Sequence, residues 1–117
     1  MAGVSTHVLD TASGRPATGM RIEFSVFRDG AWQPLKRLVA NADGRTDELL
    51  LAPADMRPGE YRIVFHVAEY FRARGVPLAN PPFLDRVPVR FGVADIAAHY
   101  HVPLLCTPWS YSTYRGS

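Results

Sequence analysis

Four imidazoles are the groups in this chain best suited to move a proton near neutral pH: His7, His66, His99 and His101. His99 and His101 stand two apart in HYHVPLL, so strand periodicity puts both rings on one face with Pro103 and Leu105, opposite Tyr100, Val102 and Leu104. Two such rings can be half of a metal site, but no further ligands accompany them, and no metal is expected. His7 lies mid-strand in STHVLD, and His66, ending YRIVFH, reads as a hydrogen-bonded structural residue. The plain reading of any one of them is a satisfied core or surface histidine. Arg45 directly follows the Asp43-Gly44 turn; its planar fork suits an anionic or carbonyl-rich ligand, although a turn arginine is ordinarily solvated. Ser112 has no G-x-S-x-G elbow around it, and Cys106 reads as a small apolar packing residue. General-base activation of water therefore fits these residues better than covalent catalysis.

The elements that must position these groups are short strands. Ten prolines and nine glycines punctuate apolar stretches at intervals typical of an all-β sandwich. The clearest stretch is MRIEFSVFR, where Met20, Ile22, Phe24 and Val26 alternate with Arg21, Glu23 and Ser25. VSTHVLD, the stretch after Asp29-Gly30 through PLKRLVAN, RTDELLLA, YRIVFHV, RVPVRFGV, HYHVPLLC and YSTYRG bring the count to eight strands, with Asp43-Gly44 read as another hairpin turn. AEYFRARG is the one helix, stopped by Gly75 and Pro77, and is too short to stand without the sheet. With no repeats and no dividing linker, residues 1–117 are expected to form a single domain.

Composition excludes several classes of function. A formal charge of +2 with scattered basic residues does not suit nucleic acid or a membrane surface, so a small molecule or a protein is the expected partner. One cysteine rules out an intrachain disulfide framework. MAGVSTHVLD carries no basic and apolar leader pattern, and a cytoplasmic location is expected.

Three stretches, THVLDTASGRPATGM, ADGRTDELLL and YHVPLLCTPWSYSTYRGS, together resemble the transthyretin-like 5-hydroxyisourate hydrolases of purine catabolism. The final Tyr114-Arg115-Gly116-Ser117 is the tag that separates those enzymes from the hormone carrier of the same fold. Cys106-Thr107 departs from the Leu-Ser pair expected there, without disturbing the alternation. The resemblance implies a two-sheet, eight-stranded transthyretin-like β-sandwich with one short helix. It also implies a homotetramer whose central channel holds its sites at a dimer–dimer interface. It maps the catalytic positions onto His7, Arg45 and His101 and the substrate-binding ones onto Ser112, Tyr114, Arg115, Gly116 and Ser117; His99 is not among them.

The implied reaction opens the six-membered ring of 5-hydroxyisourate with water, giving 2-oxo-4-hydroxy-4-carboxy-5-ureidoimidazoline, with no metal or organic cofactor. His7 or His101 takes the proton from water, and spacing alone leaves the choice open. Arg45 and Arg115 face developing negative charge, and the Ser117 carboxylate is expected to anchor the tail to a cation. Tetramer formation is expected to cover edge strands, taken as YRIVFHV and YSTYRG. The alternative is a transthyretin-like small-ligand carrier, against which stand the charged residues of the channel. A purely structural interaction domain explains none of them.

Overall fold

The computed structural model describes residues 2–117. Eight strands, one α-helix and one 3-10 turn follow in the order β1 (Gly3–Asp10), β2 (Arg15–Pro16), β3 (Arg21–Arg28), β4 (Ala31–Val39), the turn Pro53–Asp55, β5 (Gly59–His66), α1 (Val67–Ala73), β6 (Arg86–Val93), β7 (His99–Cys106) and β8 (Tyr111–Thr113). They form two four-stranded sheets, ordered β2-β1-β7-β8 and β4-β3-β5-β6. This is the all-β, eight-stranded sandwich with one short helix that the sequence predicts. β1 and β7 run parallel while every other strand pair is antiparallel.

Alternation builds the core. Ile22, Phe24 and Val26 of β3, Ile63 and Phe65 of β5, Val4 and Val8 of β1, and Leu104 of β7 are all buried in one apolar cluster between the sheets. Each such side chain contributes about 1.5–3 kcal/mol by leaving water. Phe24 and Tyr61 stack within that core with ring centroids 5.5 Å apart. In β1 and β7 the even-numbered residues are buried, whereas Ser5, His7, Leu9, His99, His101 and Leu105 are half-buried on the opposite, outer face.

The helix buries Val67, Ala68, Tyr70 and Phe71, and Gly75 ends it in the left-handed region at φ +82°. Seven residues cannot sustain a helix in water, so packing must hold it. A tether helps: the Tyr70 hydroxyl donates to Asp10 Oδ2 at 2.8 Å, and the Ser13 amide donates to Asp10 Oδ1 at 2.9 Å, satisfying a buried carboxylate at the end of β1. Burial first, and that hydrogen bond second, push the Tyr70 hydroxyl up to about 12. Cys106 is buried against the Leu9 carbonyl, and burial pushes its thiol up to about 12, the state of an inert packing residue.

Three expectations need correction. RTDELLLA is not a strand: it meets β1 at Val4, whose amide donates to the Leu51 carbonyl and whose carbonyl accepts from Leu50 N, while the carbonyl of its neighbour Gly44 accepts from Val8 N. Between those points local bonds win over pairing, with Thr46 Oγ1 donating to the Glu48 carbonyl and Lys36 Nζ donating to the Leu49 carbonyl. Asp43-Gly44 is accordingly a docking turn rather than a hairpin, and the eighth strand is β2, drawn from residues that read as a turn. Finally, YRIVFHV belongs to β5, an interior strand; the sheet edges are β2, β8, β4 and β6. Among the described residues no helix is long and apolar enough to cross a membrane.

Candidate active site

The parallel register sets Ser5 beside His101 and His7 beside Pro103, bringing residues 96 positions apart onto one outer face. Ser5 Oγ lies 2.8 Å from His99 Nε2 and 2.8 Å from His101 Nδ1, so one hydroxyl bridges both imidazoles of HYH. Nothing in the sequence singles Ser5 out except its place two before His7, on the same side of an alternating strand. His7 is held separately: its Nε2 donates to the Asp43 carbonyl at 2.8 Å. A carbonyl only accepts, so in neutral His7 the basic nitrogen is Nδ1.

The Asn41–Arg45 turn carries both that carbonyl and Arg45. Asn41 Oδ1 accepts from the amides of Asp43 and Arg45, and the Arg45 carbonyl accepts from Asn41 N at 2.7 Å. Gly44 sits at φ +77°, and a Cβ there would come within 3.4 Å of His7 Cδ2 and 3.1 Å of Pro16, so glycine lets the turn close onto β1. Where residues 45–49 leave β1, a cavity of about 240 Å³ is lined by Ser5, Thr6 and the stretch Arg45–Leu49, Asp47 and Glu48 among them.

Electrostatics distinguish His101 from its neighbours. Partial burial, and then the positive charges of Arg45, His7 and His99, hold its ring below the ordinary 6.5. Its Nδ1 is engaged with Ser5, leaving Nε2 as the nitrogen without a hydrogen-bond partner among the described residues. His66, by contrast, lies on the other sheet, 2.5 Å from Glu23 Oε2, in agreement with a structural role.

The C-terminal tail is split between two faces. Gly116 N donates to the His101 carbonyl at 2.8 Å, and the bridge His101–Gly116 continues the β7–β8 register. A Cβ on Gly116 would lie 2.5 Å from His101 Cδ2 and 3.2 Å from Cγ, so glycine is required here by contact with the ring rather than by a tight turn. Ser112 pairs with Leu105, on the histidine face but four residues from His101, about 13 Å along the strand. Arg115 falls on the opposite side: its guanidinium lies 4.3 Å from the Tyr100 ring centre and Nη2 donates to the His99 carbonyl at 3.4 Å. Together with Tyr114 it lines a second cavity, of about 320 Å³, that includes Val89, Phe91, Tyr100 and Val102. Within one chain, then, His7, Arg45, His101 and Gly116 come together, whereas Ser112, Tyr114 and Arg115 do not join them. The Ser117 carboxylate forms no ion pair among the described residues, so the expected anchor is not made within the chain. Among the described residues no group of three or more His, Cys, Asp or Glu side chains is arranged to hold a metal ion.

Known proteins match this chain along its whole length. A Mesorhizobium japonicum protein named 5-hydroxyisourate hydrolase is 54% identical over 114 residues, covering 97% of this chain and 91% of that protein. The structure of Klebsiella pneumoniae 5-hydroxyisourate hydrolase is 32% identical with a TM-score of 0.80, covering 100% of this chain and 94% of that one. Sea bream transthyretin in complex with thyroxine is 26% identical with a TM-score of 0.86, covering 98% of this chain and 95% of that one. Residues 4–116 match the HIUase/Transthyretin family, and the chain belongs to it.

Proposed function

We propose that this protein hydrolyses 5-hydroxyisourate to 2-oxo-4-hydroxy-4-carboxy-5-ureidoimidazoline, with His101 as the general base. The observation that carries the reading is a half-buried imidazole with one nitrogen engaged by Ser5, the other unpartnered among the described residues, and Arg45 near enough to depress its proton affinity. Such a ring is neutral at physiological pH and can accept a proton from water. As that water attacks the ring carbonyl, its hydroxyl joins the carbon and its proton passes to His101 Nε2. The ring C–N bond then breaks, and the proton returns to the departing nitrogen, leaving a carboxyl and a ureido group. General-base assistance of this kind contributes about 10²–10⁴-fold. Arg45 offsets the negative charge on the carbonyl oxygen, and His7, held at Asp43, supplies a second imidazole at the site.

The outer face bearing these groups is open in a single chain. We infer that a second copy covers it in a homotetramer, and that Ser112, Tyr114, Arg115 and Ser117 contact the substrate from across that boundary. The reading includes a cytoplasmic location, with which a single free cysteine is compatible. The alternative, a transthyretin-like small-ligand carrier, is less well supported, because an apolar ligand gains nothing from three imidazoles and a guanidinium on one face. The deciding experiment generates hydroxyisourate from urate in place and follows its decay spectrophotometrically. Decay well above the spontaneous rate is expected; no acceleration removes the proposal. Light scattering should give a tetramer, and a monomer at micromolar concentration would remove the shared site.

A further inference from the structure

Ser5 has one proton to give and stands within hydrogen-bond distance of two imidazole nitrogens. With one proton it cannot donate to both, and when it donates to one ring and accepts from the other the tautomers of His99 and His101 are coupled. If Ser5 donates to His101 Nδ1, the His101 proton sits on Nε2 and the ring has no free basic nitrogen. If it accepts from His101 Nδ1–H and donates to His99 Nε2, His101 Nε2 is bare. Only the second arrangement survives when His101 takes up a proton, because both its nitrogens then donate. We propose that Ser5 is a positioning residue, with His99 as terminal acceptor, that holds His101 in the tautomer with a free Nε2. This rests on the reading of His101 as general base.

The surroundings favour that orientation. Arg45, Asp47 and Glu48 line the same cavity as Ser5; His7 stands on the same strand, and Arg115 reaches the His99 carbonyl. Cationic His101 is opposed by Arg45, His7 and His99. A neutral His99, accepting from Ser5, therefore removes one repulsion at the moment the base becomes charged. Protonated His99 would instead donate from Nε2, freeing the Ser5 proton to turn to His101 Nδ1 and so to take away the basic nitrogen of His101.

The test uses the full-length protein, ¹⁵N-labelled, and the variants S5A and S5T. Long-range ¹H–¹⁵N spectra at about pH 8, above the ordinary imidazole range, read which nitrogen of each ring carries the proton. Wild type should show His101 protonated at Nδ1 and His99 bare at Nε2. S5A should show mixed tautomers in both rings and a kcat lowered about 10-fold with KM little changed, the scale of losing a partner that fixes an imidazole. S5T keeps the hydroxyl and should restore both. His101 protonated at Nε2 in wild type, or S5A spectra and kcat like those of wild type, would overturn the proposal. The spectra decide it independently of catalysis: if H101N keeps full activity the base assignment fails, while the tautomers still report on Ser5.

Discussion

His66 is buried and His101 half-buried in their own sheets, yet the two sheets put them to opposite uses. On β5, His66 faces a carboxylate: Glu23 accepts from it at 2.5 Å, with Arg37 3.8 Å from the same carboxylate. The hydrogen bond from His66 holds Glu23 below its usual 4.5, followed by opposing burial and by the charges of His66, Arg37 and Arg86. On β7, His101 faces cations and a hydroxyl, with no carboxylate in contact. A carboxylate partner commits a ring nitrogen to a hydrogen bond; cationic neighbours favour the neutral ring and leave a nitrogen available. Partial burial and then the cationic neighbours thus set His101, the proposed base, apart from the carboxylate-bound His66.

The largest effect should come from removing the proposed base. H101N is expected to lower kcat/KM by about 10²–10⁴-fold, with the sheet retained by circular dichroism. The wild-type pH profile sharpens the contrast. A base works when neutral, so kcat/KM falls as pH drops through the folded-state value of His101, which lies below 6.5. The acid limb should therefore lie on the acid side of an ordinary imidazole and vanish in H101N. A limb unchanged in H101N, after correction for spontaneous decay, would assign it to His7 or another group.

Much of the scaffold behind these two histidines is legible in the chain itself. Alternation in MRIEFSVFR places its core residues correctly, HYH does put both rings on one face, and Gly75 does end the helix. What alternation cannot supply is the partner strand. The parallel pairing of β1 with β7 depends on the packing of the whole sandwich, so the bridge from Ser5 to His99 and His101 has no local signal. RTDELLLA imitates a strand through Leu49, Leu50 and Leu51, while the side-chain bonds that compete with pairing exist only in three dimensions. Arg115 departs from the expected site for a simpler reason. The register that carries Ser112 to the histidine face sends Arg115 to the Tyr100 side.

A smaller effect should follow from disturbing the tail where it meets His101. G116A would put a methyl carbon 2.5 Å from His101 Cδ2 unless the ring or the tail moves. Displacing a catalytic group by about 1 Å can cost up to about 10²-fold, and about 10-fold is expected here because ring and tail share the shift. His66 lies on the other sheet and should be unaffected, so a His101 resonance shift in G116A without one at His66 would accompany the lost rate. Wild-type kcat/KM in G116A would show that the tail moves away and that its contact is not needed to hold the ring.

The smallest catalytic effect, and the clearest thermodynamic one, belongs to His66. H66Q should leave kcat/KM within about twofold, because it touches none of the residues around Ser5 and His101. Its cost falls on stability: losing a charge-assisted bond to a carboxylate that is itself about one-third exposed should cost about 1 kcal/mol after allowance for solvent screening. The pH dependence has a definite sign. Glu23 has a lowered folded-state value, so its contribution is present above the unfolded value near 4.5 and is lost as pH falls through the folded one. Wild type should therefore be more stable than H66Q at neutral pH, and the gap in Tm should narrow as Glu23 becomes protonated. A constant gap across the acid range would mean that His66 stabilises the sheet by packing alone. A large loss of kcat/KM in a folded H66Q would break the contrast itself, because the two histidines would then be coupled through the sandwich.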